Sequence, residues 1–202
     1  MSFAVYLITD PAYDVIHATR AALSGAQPGE VAVMARDKKA CAREHAALCR
    51  ALLPICRDRG APLIVNGRCD IARAVGADGV HLPEAGLETV EARALLGPEA
   101  LIGASRHGPR RPSERGAPDL VTLSPVGAVI NKSPPLGVHG FARHAASYGC
   151  DVYALGGVTV AQVPALVDAG ARGVAVIRAV YASEDPAAAL EKLVSAVRST
   201  RR

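Results

Sequence analysis

At 202 residues, half of them hydrophobic, the chain is long enough to bury the core of one domain. Aromatics make up only 3% and Trp is absent, and the net charge of +4 has no Lys/Arg block behind it before Arg201-Arg202, which counts against nucleic acid as a partner. No apolar run reaches the roughly 18 residues of a membrane span, and Met1-Ser2-Phe3 leads into a strand pattern without a basic-then-apolar leader, so a cytoplasmic protein with no membrane partner is expected.

Apolar runs suited to parallel strands buried on both faces recur along the chain, with helical patterns between them. A strand over residues 4–9 is followed by a helix over 14–24, a strand over 31–35 and a long helix over 41–57. Strands follow at 63–65 and 79–82, with helices at 70–75 and 87–95. Strands at 101–104 and 120–123 are joined by an Arg-, Pro- and Gly-rich link that makes a poor helix. Residues 124–140 read as one long irregular loop, of the kind that usually serves function. Helices at 141–148, 162–169 and 186–198 alternate with strands at 152–155 and 173–177. Eight β/α units without a linker predict an α/β fold, a single-domain (β/α)8 TIM barrel spanning 1–202.

Five cysteines (Cys41, Cys49, Cys56, Cys69 and Cys150) form no C-x-x-C pair and no metal-ligand spacing. Cys41, Cys49 and Cys56 recur seven or eight residues apart, the spacing of a buried helix face, and are expected to act as small apolar residues.

Barrel enzymes place their chemistry where strands end, at the C-terminal mouth. Gly156-Gly157 ends the seventh strand, letting backbone N–H groups approach an anion, and Thr159 with Gln162 reads as the cap of the next helix. The eighth strand runs through Ile177 into Arg178, so the loops after strands seven and eight form the expected phosphate site. Arg36 and Lys38 follow strand two, Asn66 and Arg68 strand three, His81 strand four, and Ser105, Arg106 and His107 strand five. Lys132 lies in the loop after strand six. This set is cationic, with Asp37 and Glu84 as the main acids, and predicts an anionic, phosphorylated small molecule as partner. His81 reads as a hydrogen-bonded interior residue, whereas His17, His45, His139 and His144 are expected at the surface.

Together these segments resemble the thiamine phosphate synthase/TenI superfamily along nearly the whole chain. Tyr6-Leu7-Ile8-Thr9-Asp10 is similar to its opening strand, and Leu63-Ile64-Val65-Asn66 and Val75-Gly76-Ala77-Asp78-Gly79-Val80-His81-Leu82 to its middle. Ile102-Gly103-Ala104-Ser105-Arg106-His107 resembles its I-G-x-S-x-H segment, and Ser124-Pro125-Val126 through Lys132 to Pro134-Pro135-Leu136-Gly137 its long loop. Gly156-Gly157-Val158 and residues 170–177 resemble its phosphate end.

The resemblance implies a role in thiamine biosynthesis. In the synthase, a thiazole phosphate nitrogen displaces pyrophosphate from a pyrimidine carbon, and Mg²⁺ with basic side chains neutralises the leaving group. The family's basic Q-L-R-E-K segment corresponds to Met34-Ala35-Arg36-Asp37-Lys38, which keeps Arg36 and Lys38 as catalytic candidates. Its metal ligands are the Asp of N-D-R and the last Asp of H-x-G-Q-E-D, and both positions are glycine here, Gly67 and Gly86. A glycine has no side-chain oxygen for Mg²⁺, which counts against synthase activity and leaves Glu84 as the acid nearby. The loop threonines of the pyrophosphate site correspond to Val129 and Asn131.

Asn66-Gly67-Arg68 and Leu82-Pro83 instead resemble the TenI branch, which isomerises the thiazole phosphate without metal. Its acid/base histidine corresponds to Pro125, so His107, or else His81, is the candidate for moving a proton. The expected ligand is therefore a thiazole phosphate type, bound by Asn66, Ser105, Lys132, Gly156, Gly157, Ile177 and Arg178, with Arg36, Lys38 and His107 as catalytic residues. A non-catalytic phosphate-binding regulator, a tautomerase-like enzyme with a relocated acid/base and a barrel for an unrelated phosphorylated substrate remain open. Homo-oligomerisation is implied by the resemblance alone.

Overall fold

The barrel's interior and exterior are separated by strict alternation along its strands. In the computed structural model, which describes residues 3–111, 114–130 and 133–201, the strands are β1 (Val5–Ile8), β2 (Val31–Ala35), β3 (Leu63–Asn66), β4 (Gly79–Leu82), β5 (Leu101–Arg106), β6 (Leu120–Leu123), β7 (Asp151–Leu155) and β8 (Gly173–Val176). They pair in parallel in sequence order and close through β1 and β8, with Val5 opposite both Val31 and Val174. Tyr6, Ile8, Ala32, Met34, Ile64, Leu120, Tyr153 and Ala175 fill the interior. Their neighbours Val5, Leu7, Val31, Val33, Leu63, Val65, Val121 and Val174 pack outward against helices. Both faces are thus buried, which is why the runs read as continuously apolar.

The helical layer comprises α1 (Val15–Leu23), α2 (Ala42–Asp58), α3 (Cys69–Val75), α4 (Thr89–Leu96), α5 (Gly137–Ala145), α6 (Val163–Asp168), α7 (Arg178–Tyr181) and α8 (Pro186–Thr200). Local chemistry sets several ends. The Asp14 carboxylate accepts the His17 N–H at 3.1 Å to start α1, and Asp185 accepts the Ala188 N–H at 3.0 Å to start α8, whose first residue is Pro186. Gly76, at φ +68° and ψ +39°, closes α3 in the left-handed region.

Three of the seven aromatic residues, Phe3, Tyr6 and Tyr153, fill the barrel's N-terminal half. Phe3 stacks on Tyr153 with ring centroids 4.7 Å apart, and the Tyr153 hydroxyl donates to the Phe3 carbonyl at 3.0 Å. Tyr6 lies edge-on to His81, with centroids 5.6 Å apart. This plug makes the lower barrel a packed core, so the open space lies at the C-terminal end.

Several expectations need correction. Strand β5 extends to Arg106, beyond the expected 101–104, and α5 begins at Gly137, inside the stretch read as irregular. The short α7 after β8 was not foreseen, because four residues are too few to carry a periodic signal. His45 is buried rather than on the surface, since its Nε2 lies 3.0 Å from the Ala35 carbonyl and ties α2 to the end of β2. Cys49 and Cys56 are buried as expected, but Cys41 is exposed at the N-cap of α2, outside the packed face.

Candidate active site

Two adjoining cavities open at the mouth of the barrel and share Val129, Leu155, Gly156 and Ile177 as their common wall. The larger, about 650 Å³, is lined by Gly156, Gly157, Val158, Thr159, Ile177 and Arg178 among others. The smaller, about 270 Å³, is lined by Arg36, Lys38, Asn66, Ser105 and His107 together with Pro83, Glu84 and Thr122. Each expected site residue that the structure describes therefore borders one cavity or the other. Lys132 lies outside the described residues.

The glycine turn after β7 is shaped by both dihedral freedom and crowding. Gly156 and Gly157 sit at φ +88° and +68°. A Cβ on Gly157 would lie 2.9 Å from the Gly127 carbonyl carbon and 3.0 Å from the Ala128 oxygen. The Leu155 and Gly156 carbonyls accept from Val126 N–H at 2.9 Å and Gly127 N–H at 2.7 Å. In a planar trans peptide the N–H points opposite the C=O, so the Gly156 and Gly157 N–H groups are turned away from that loop. Thr159 and Gln162 form the expected cap, with Thr159 N–H donating to Gln162 Oε1 at 3.0 Å.

The basic side of the smaller cavity is held by a threonine. Buried Thr9, just after β1, accepts the Arg36 N–H at 2.7 Å and donates to the Arg36 carbonyl at 2.9 Å, fixing the backbone of that arginine. Asp37 accepts the Lys39 and Ala40 N–H groups at 2.9 and 3.2 Å, so this acid folds the loop that carries Lys38. Arg68 turns away from the site. Its guanidinium makes a two-pronged pair with Asp70 at 2.8 and 2.5 Å, which holds the Asp70 carboxyl down at about 2.

Beneath the cavity lies a neutral polar column. His81 Nε2 is 3.1 Å from Ser105 Oγ and 3.2 Å from Thr122 Oγ1, and Nδ1 is 3.4 Å from the Tyr6 hydroxyl. Burial, reinforced by the Arg106 charge, pushes the imidazole down to about 3. Gly103 makes room for it, since a Cβ there would lie 2.4 Å from His81 Nδ1. This agrees with the reading of His81 as an interior histidine. Arg106 faces the other way, donating to Glu114 Oε1 at 3.0 Å and to the Ser105 carbonyl at 2.8 Å.

The residues at the corner where the resemblance implies Mg²⁺ do not fit a carboxylate-held ion. Gly67 and Gly86 both face Pro83. A Cβ on Gly86 would lie 2.9 Å from Pro83 Cδ and 3.1 Å from its carbonyl oxygen, and one on Gly67 3.5 Å from Pro83 Cγ. Gly67 also sits at φ +70°, which favours glycine. The remaining acid, Glu84, is engaged elsewhere: Oε2 is 2.6 Å from His107 Nδ1, and Oε1 is bonded by Arg111. Among the described residues no group of three His, Cys, Asp or Glu side chains is placed to hold a metal ion.

Sequence reasoning missed Thr9, Thr122 and the coupling of Glu84 to His107. Thr122 carried a usable signal, a polar residue at an inward position of an otherwise apolar strand. The coupling of residues 84 and 107 had none, because it depends on how two loops meet.

The model of the family described as thiamine monophosphate synthase matches residues 5–180. The chain belongs to the thiamine monophosphate synthase family. Thiamine-phosphate synthase from Laribacter hongkongensis is 36% identical over 202 aligned residues, covering 96% of this chain and 94% of the relative. That of Parasynechococcus marenigrum is 38% identical over 195 residues, but the chain spans only 55% of its length. Among solved structures, thiamine phosphate pyrophosphorylase from Pyrococcus furiosus superposes with a TM-score of 0.85 at 28% identity, covering 98% of this chain and 96% of its own. A 3-hexulose-6-phosphate synthase at 17% identity and TM-score 0.67 shares the barrel fold alone with this family member. No helix among the described residues is long and apolar enough to cross a membrane.

Proposed function

We propose that the protein is an enzyme of thiamine biosynthesis that binds a thiazole phosphate-type ligand across the two cavities and works without a carboxylate-held metal. The observation that carries this reading is the continuity of the two cavities, a glycine turn with Arg178 on one side and Arg36 and Lys38 on the other, sharing Gly156 and Ile177. The ligand phosphate rests on the Gly156–Gly157 turn and the Ile177–Arg178 corner. Asn66 and Ser105 hydrogen-bond the ring, and Arg36 and Lys38, with Lys132 from the loop after β6, neutralise a second anionic group such as a departing pyrophosphate. His107 is the acid/base group. Synthase-type group transfer is the first reading because curated relatives along the whole chain bear that name. A tautomerase-like isomerisation is the second, and the His107–Glu84 pair favours it because proton transfer alone needs no leaving-group neutralisation.

The test is a thermal-shift series with thiazole phosphate, the dephosphorylated thiazole alcohol, and each with Mg²⁺ or EDTA. Binding at a hundredfold excess over Kd adds about 2.7 kcal/mol, or roughly 5–10 °C for a domain of this size. The expected result is a rise with thiazole phosphate, little with the alcohol, and no effect of Mg²⁺ or EDTA. No rise with thiazole phosphate, or an equal rise with the alcohol, refutes the ligand assignment. Product analysis with pyrimidine pyrophosphate added separates transferase from isomerase, and binding without turnover identifies a regulator.

A further inference from the structure

Two histidines border or underlie the smaller cavity, and their surroundings assign them opposite tasks. His81 has both ring nitrogens occupied inside the barrel, by Tyr6 on one side and by Ser105 and Thr122 on the other. His107 lines the cavity, its side chain 42% exposed, and its Nδ1 is 2.6 Å from Glu84 Oε2. Its Nε2 makes no hydrogen bond among the described residues. Arg111 grips the other Glu84 oxygen, so the carboxylate is pinned between a guanidinium and an imidazole rather than free to swing. Glu84 itself lines the same cavity, immediately after Pro83 in the turn over residues 83–86, where the Gly86 N–H donates to the Pro83 carbonyl at 2.9 Å.

We infer that Glu84 is a positioning residue: it holds His107 in the tautomer with the proton on Nδ1, leaving the Nε2 lone pair as the proton acceptor of the cavity. A carboxylate that accepts the Nδ1–H fixes the ring orientation and enriches the far nitrogen, the arrangement by which acidic partners orient catalytic and metal-bound imidazoles. The step is balanced without a co-reactant. Nε2 takes a proton from the bound ligand, the imidazolium is stabilised by Glu84, and the same proton returns to a second atom of the ligand. The charged groups facing His107 are Glu84 and, through it, Arg111, with Arg36 and Lys38 lining the same cavity. This inference rests on the proposed ligand site for its function, but the orientation of the ring can be measured without ligand.

The experiment records ring ¹⁵N spectra of the ligand-free protein, with His107 assigned from H107N, in wild type, E84Q and E84A. Wild type is expected in the Nδ1–H form, E84Q to keep it because an amide oxygen still accepts the bond, and E84A to show a mixture. Diethylpyrocarbonate labelling read by peptide mass spectrometry gives a second readout, with exposed His17 and His139 as internal standards. His107 should react about threefold or more faster than those standards in wild type and lose that excess in E84A. An Nε2–H ring in wild type, or spectra and labelling unchanged by E84A, overturns the inference. If thiazole phosphate gives no thermal shift while the ring is locked as expected, the ligand reading fails and the dyad stands.

Discussion

Gly157→Ala is the sharpest perturbation of the glycine turn proposed to hold the phosphate, and Gly76→Ala is its matched control. Both glycines have φ +68°, so alanine carries the same left-handed penalty of about 1–2 kcal/mol at each, and any gain from a stiffer unfolded chain cancels in the comparison. Their surroundings differ. At Gly76 a Cβ meets only the flexible Arg57 Nη2 at 3.9 Å, whereas at Gly157 it meets backbone atoms of Gly127 and Ala128 at 2.9–3.0 Å. Backbone cannot rotate aside as a side chain can, so Gly157→Ala adds an overpacking cost of about 1–3 kcal/mol. At roughly 2–4 °C per kcal/mol, Gly76→Ala should lower Tm by about 2–8 °C and Gly157→Ala by several degrees more. Denaturant melts of both variants provide the free energies, and thiazole phosphate titration provides the functional arm. Affinity should fall about tenfold or more in Gly157→Ala, equivalent to about 1.4 kcal/mol, and stay unchanged in Gly76→Ala. Equal destabilisation of the two variants would refute the crowding argument, and intact affinity in Gly157→Ala would remove the turn from the ligand site.

Because His81 is neutral in the folded protein and pushed down to about 3, the unfolded chain binds the extra proton between about pH 6.5 and 3. Its contribution is fully present above that window and is lost as pH falls through it, at up to about 1.4 kcal/mol per pH unit. The wild-type unfolding free energy should therefore drop more steeply over this range than that of His81→Gln, and parallel pH profiles would contradict the assignment. Placing acids at this corner with Gly67→Asp and Gly86→Asp should not make ligand binding Mg²⁺-dependent while Pro83 remains, because a Cβ at Gly86 would meet the Pro83 ring at 2.9 Å and one at Gly67 would touch it at 3.5 Å from a backbone at φ +70°. Adding Pro83→Gly should, and isothermal titration with Mg²⁺ reads the difference. Arg36→Ala with Lys38→Ala should weaken pyrophosphate binding by about tenfold or more while shifting Tm by little, since both line an open cavity. Unchanged pyrophosphate affinity would remove the two cations from the anion site.

The amino-acid sequence alone determined the barrel, because a parallel sheet buried on both faces writes itself as spaced Val-, Ile- and Leu-rich runs, and residues such as Val31 to Ala35 carry that signal locally. It also placed Arg36, Asn66, Ser105, Gly156 and Ile177 at the mouth, since closing the barrel brings the ends of all strands together whatever the details of packing. Other features required the third dimension. That Pro83 stands between Gly67 and Gly86 follows from the meeting of two separate βα loops. The buried place of His45 depends on a carbonyl ten residues earlier in the chain, at the end of a neighbouring strand. The hold of His107 and Arg111 on the two Glu84 oxygens likewise joins residues up to 27 positions apart. Local periodicity encodes which face of an element is buried, but not which side chains from different loops come within hydrogen-bonding distance, and in this protein that second kind of information decides that His107 meets Glu84 at the cavity while His81 is enclosed by Tyr6, Ser105 and Thr122.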